Sequence, residues 1–100
     1  MFVLAYRYRA APPTEGTFVE TYGPDGPWAR LFAQQPGYRG TELLQSEEEP
    51  STYLVLDRWE SRASHAAFMA AHGPAYETFS RECEVLWLDE RRLGAFDVQE

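Results

Sequence analysis

The sequence predicts an α+β domain, an antiparallel sheet of four strands with helices packed on one face. Three observations predict it. The apolar residues switch between a period of two and one near 3.6 along the chain. Gly and Pro breaks separate the segments, and the order that results is strand, helix, strand, strand, helix, strand. One hundred residues suit a single domain of this kind and leave no room for a second.

The first strand runs from Phe2 to Arg9, with Phe2, Leu4, Tyr6 and Tyr8 on one face and Val3, Ala5, Arg7 and Arg9 on the other. Ala11-Pro12-Pro13 breaks it. Thr14 is placed to cap a short helix carrying Phe18, Val19 and Tyr22, which Gly23-Pro24 stops. Asp25 is the expected N-cap of a second helical segment, with Pro27 in its first turn and Trp28, Leu31 and Phe32 on its apolar face, ended by Pro36-Gly37.

Tyr38 to Ser46 and Ser51 to Glu60 read as two strands joined by the acidic turn Glu47-Glu48-Glu49-Pro50. Ser61 caps the next helix, expected to stop at Gly73-Pro74 and resume as AYETFSRE. A fourth strand is expected at Val85 to Leu88, with Leu93 to Phe96 either extending it or pairing separately.

Together these elements make the split βαβ arrangement of ferredoxin-like domains. Helices on one side leave the other sheet face uncovered, and that face carries either Leu54 and Leu56 or Tyr53 and Val55. Either set is too apolar to meet water across a wide sheet, so the expected solution is a homodimer in which two sheets face each other.

Composition excludes several classes of function. The chain is 44% hydrophobic, yet it has no apolar run of the ~18 residues a membrane span requires. A net charge of -7 repels phosphate backbones and anionic lipid, so neither nucleic acid nor membrane is an expected partner. All nine basic residues are Arg, which removes Schiff-base and P-loop lysine chemistry. The lone Cys83 forms no internal disulfide, and the start MFVLAYRYR reads as a strand rather than a signal peptide, so a cytoplasmic location is expected.

The segments YGPDGPWARLFAQQPGYRGTELLQ and STYLVLDRWESRASHAAF resemble the antibiotic biosynthesis monooxygenase family of dimeric α+β barrels. The most characteristic piece is Asp57-Arg58-Trp59-Glu60-Ser61, where a strand ends in Trp and a Ser opens the following helix. The resemblance covers nearly the whole chain. It implies a ferredoxin-like protomer, two sheets facing each other in a barrel, and a pocket between each sheet and its own helices. It also implies oxygenation of electron-rich aromatic or quinol substrates by dioxygen without metal or flavin. Haem-cleaving relatives carry an Asn on the first strand, then a Trp and a His on the long helix. Here Arg7 or Tyr6 stands for the Asn, Phe68 for the Trp and His72 for the His, so two of the three roles are missing and haem cleavage is disfavoured.

Candidate site residues follow from helix spacing. His65, Phe68, Met69, His72 and, if the helix continues, Tyr76 share one stripe that should face the sheet. An ordinary core with half-buried, hydrogen-bonded imidazoles explains the stripe, and so does a pocket wall of aromatics holding two bases. A metal shared by the two histidines is not expected, since seven helical residues set their Cα atoms roughly 10 Å apart. The resemblance implies that no cofactor is expected.

Ionising a phenol or enol needs a base that titrates near neutrality, and His72 is the first choice, then His65. Trp59 is either a packing plug or a surface on which substrate stacks. Tyr22, Trp28 and Phe32 would be pocket wall or core. Arg7 is by default a solvated or dimer-interface arginine, with Asp57 within reach as an ion-pair partner, or else it holds an oxyanion developing on a ligand.

The function these readings support is cofactor-independent monooxygenation of a small aromatic or quinol-type substrate. The alternative is a non-catalytic dimer that binds a small hydrophobic ligand or regulates, with haem binding a third reading, because either His could ligate iron.

Overall fold

The computed structural model describes residues 1–100. Its elements are β1 (Phe2–Ala10), α1 (Glu15–Tyr22), α2 (Pro27–Phe32), β2 (Tyr38–Gln45), β3 (Thr52–Trp59), α3 (Arg62–Cys83) and β4 (Trp87–Asp97), with single 3-10 turns at Pro12–Thr14 and Glu84–Leu86. The four strands form one antiparallel sheet in the order β2-β3-β1-β4. This is the ferredoxin-like α+β architecture.

Strand alternation decides what each sheet face carries. Tyr8 pairs with Tyr53, Leu4 with Asp57 and Phe2 with Trp59, and this face lies under the helices. It joins Phe18 and Tyr22 of α1, Trp28 and Phe32 of α2, and Phe68 and Cys83 of α3 in one buried cluster. Trp59, Phe18 and Phe68 are its fully enclosed side chains. Each is large, so each adds substantially to the apolar area that drives the helices onto the sheet.

The opposite face carries Leu44 beside Leu54 and Phe96 beside Val3. Leu44, Leu54 and Phe96 are 39%, 36% and 53% exposed, so Leu54 and Leu56, not Tyr53 and Val55, belong to the uncovered side.

Local chemistry explains the boundaries. Ser61 caps α3, its hydroxyl accepting from the Ser64 amide at 3.2 Å. The acidic turn is held by Ser46, whose hydroxyl accepts from the amides of Glu48 and Glu49. Gly37 adopts φ +97°, and a Cβ there would lie 2.4 Å from the Ser64 hydroxyl. Only glycine lets the start of β2 lie against the first turn of α3, where the Glu60 amide donates to the Gly37 carbonyl.

Several expectations are corrected. α3 does not stop at Gly73-Pro74 but runs 22 residues through it. A proline inside a helix removes one backbone donor and disfavours continuation. Here Tyr76, Phe79 and Cys83 beyond it pack on the core, and that burial outweighs the local penalty. Gly26, not Asp25, is the N-cap of α2, and the Asp25 carbonyl instead accepts from Arg30. Thr14 precedes α1 but makes no capping bond to it; its hydroxyl donates back to the Ala11 carbonyl.

Val85 and Leu86 lie in the 3-10 turn, and β4 is a single strand that includes Leu93 to Phe96. It accommodates register shifts opposite Ala5/Tyr6 and Arg9/Ala10, with Gly94 at φ +141° beside the first. No helix is long and apolar enough to cross a membrane.

Candidate active site

Between the sheet and the helices lies a narrow cavity of about 40 Å³, or about 560 Å³ of atom-free space when its open mouth is included. The smaller figure is room for a few waters, at roughly 10–15 Å³ of this measure each. β1 contributes Leu4, Tyr6 and Tyr8, and β3 contributes Val55, Asp57 and Trp59. Tyr22, Trp28 and Phe32 close it from α1 and α2, and His65, Tyr76 and Ser80 from α3. Thr41 of β2 and Glu90 of β4 complete the lining. Its walls are thus mainly aromatic, with a few convergent polar groups, the composition of a small-molecule site.

The polar groups are unusual for their surroundings. Asp57 is 7% exposed, and its Oδ1 accepts from the Thr41 hydroxyl at 2.8 Å. Because Thr41 has one proton and donates it here, the Tyr38 hydroxyl bonded to Thr41 must be the donor in that contact. No arginine reaches the carboxyl. Burial therefore pushes Asp57 up to about 6, only partly offset by the Thr41 bond.

Tyr6 is raised above the usual phenol range by burial and then by the nearby Asp57 charge, and burial raises Tyr76 as well. His65 is shifted down, first by burial and then by Arg92 and Arg62, so its imidazole is held neutral. Tyr8 donates to Glu90 at 2.6 Å. No group of three or more His, Cys, Asp or Glu side chains is arranged to hold a metal ion.

The predicted site residues divide into those that line the cavity and those that do not. His65, Trp59, Tyr76, Tyr22, Trp28 and Phe32 line it. His65 sits edge-on to Trp59, with ring centres 5.4 Å apart, and 6.0 Å from Phe2. Phe68 is wholly buried behind the wall, in contact with Trp59 and Phe32. His72 stacks on Phe68 at 5.3 Å and does not reach the cavity, and Met69 packs on the core nearby.

Arg7 lies on the opposite sheet face, where its guanidinium meets Glu49 at 2.7 Å and Asp89 at 3.9 Å. The expected Arg7–Asp57 ion pair is therefore corrected: adjacent strands place the two side chains on opposite faces. Sequence reading passed over Tyr6, Thr41, Asp57, Ser80 and Glu90 as lining residues. For Asp57 the signal was present, a carboxylate in phase with Tyr53, Val55 and Trp59.

An open-faced α+β protomer with an aromatic pocket under its helices defines the class of protein. The chain belongs to the antibiotic biosynthesis monooxygenase family, whose profile matches residues 1–81. Solved structures with the same fold include SnoaB of Streptomyces nogalater, described as a cofactor-independent oxygenase. It shares 18% identity and superposes with a TM-score of 0.70, over 99% of this chain and 93% of that one. PA3566 of Pseudomonas aeruginosa is 15% identical with a TM-score of 0.67, over 99% and 94%. A NIPSNAP domain protein of Burkholderia xenovorans is 15% identical with a TM-score of 0.69, over 99% and 95%. No curated protein matches the chain.

Proposed function

We propose that the chain is a cofactor-independent monooxygenase of a small aromatic or quinol-type substrate. The observation that carries this reading is a neutral imidazole, His65, on the wall of an otherwise aromatic cavity. A phenol or enol bound there gives its proton to a ring nitrogen of His65. The resulting anion transfers one electron to dioxygen, and recombination of the two radicals forms the C–O bond. The peroxide anion takes the proton back from His65, and loss of water, with the hydrogen of the oxygenated carbon, then leaves one oxygen atom on the substrate as a carbonyl.

The family membership and the fold shared with SnoaB support the same class of reaction. The test is oxygen uptake by the metal-free protein with anthrones, naphthols and quinols. Substituting His65→Gln lowers the rate about 100-fold, within the range expected for removing a general base, while His72→Ala leaves it within about twofold.

A second reading is favoured by the tightness of the cavity. A pocket this narrow suits a dimer that binds a small hydrophobic ligand without transforming it. Absence of uptake across the panel, with binding intact, would select this reading.

Under either reading the working unit is a homodimer formed through the uncovered sheet face, where Leu44, Leu54, Leu56 and Phe96 make an apolar patch edged by Arg7, Arg58 and Arg91. Leu54→Arg places a charge within that patch. Wild-type protein should sediment at twice the 11.5 kDa chain mass, and the variant at the chain mass, both at about 10 μM.

A further inference from the structure

We infer that Asp57 is the polar anchor of the cavity, accepting a hydrogen bond from a hydroxyl of the bound ligand, so that the preferred ligand is an aromatic diol rather than an unsubstituted or etherified ring. The inference rests on reading the cavity as a ligand site. It assigns a second recognition point, apart from the hydroxyl that faces His65.

Three observations carry it. The first is the incomplete hydrogen bonding of the carboxyl. Oδ1 accepts from Thr41, whereas no other donor within the protein and no cation is bonded to the group. A buried carboxylate in that state is expensive, and a protein core usually satisfies or neutralises it.

The second is position. Asp57 lines the cavity on the same face of β3 as Val55 and Trp59, so an acceptor is presented among aromatic walls. Thr41 and Tyr38 form a directed chain behind it, Tyr38 to Thr41 to Asp57, which holds one carboxylate oxygen and leaves the other for a guest. The third is Trp59, wholly enclosed beside the cavity, whose indole N–H has no partner. A dihydroxylated aromatic ring matches this set: its flat body fits aromatic walls, one O–H can donate to Asp57, and its oxygens can also accept.

Binding measured without oxygen separates this inference from the oxygenase reading. The probes are 1,5-dihydroxynaphthalene and its dimethyl ether, titrated calorimetrically into the full-length protein. The wild type is expected to bind the diol at least tenfold more tightly than the ether, and Asp57→Leu to remove that preference while still binding the ether. Asp57→Asn, which keeps an acceptor for Thr41, is expected to retain only part of it.

Equal affinity of the wild-type protein for diol and ether, or no binding of the diol, would overturn the inference without reliance on any variant. An unchanged preference in folded Asp57→Leu would overturn it as well. If the preference holds and no oxygen is consumed when air is admitted, the anchor stands and the oxygenase reading falls.

Discussion

Trp59→Ala should lower the stability of the fold by about 4 kcal/mol, measured by urea unfolding at fixed protein concentration. Trp59 is completely enclosed and touches four other rings: Phe32, Tyr38, His65 and Phe68 lie with centroids 5.3 to 5.7 Å from it. These neighbours come from α2, β2 and α3, so no single element can move inward to fill the space the indole leaves. The loss combines the transfer free energy of the largest side chain with that of an unfilled void. A loss below about 1 kcal/mol, accompanied by weakened ligand binding, would instead identify Trp59 as a stacking surface already open to a guest.

Asp57→Asn should act in the other direction, stabilising the fold at about pH 8 by about 2 kcal/mol. Burial raises the folded carboxyl to about 6, above its ordinary value of 3.8. The folded state therefore holds a proton that the unfolded chain releases between those two values. The stability associated with this group is fully present below about pH 3.8 and is lost as the pH rises through about 6. A displacement of this size corresponds to roughly 3 kcal/mol. Asparagine does not ionise and still accepts from Thr41, although its amide donors meet an aromatic wall, which trims the gain. Unfolding curves at about pH 4, 6 and 8 check this. The variant should gain on the wild type as the pH rises, and a constant difference would contradict the assignment.

Much of this architecture was legible because it is written in periodicity. The phase of Phe2 to Tyr8 and of Tyr53 to Trp59 tells which side chains share a face, while which face the helices cover is decided only in the structure, and the strand order follows from short connections and the split βαβ arrangement. The helix break expected at Gly73-Pro74 failed for a physical reason. A local rule about proline cannot weigh Tyr76, Phe79 and Cys83, whose burial depends on residues far away in sequence.

The site was less legible for a related reason. His65 and His72 lie on one stripe, and which of them meets the cavity depends on how far α3 extends over β3, something no spacing within the helix encodes. Asp57 shares the phase of Tyr53, Val55 and Trp59, which would place it at the site once that set is known to lie under the helices. Interpreting it through Arg7 hid it, because the pairing was judged by charge and not by sheet face.

The narrowness of the cavity has a kinetic consequence. A flat ring entering through the open mouth has to align with the aromatic walls, so only a fraction of encounters leads to association. Ligand capture then runs well below the encounter limit, and the same barrier slows escape. A weakly interacting guest would thus be retained longer than its contacts alone would hold it, between walls that leave room for only a few waters.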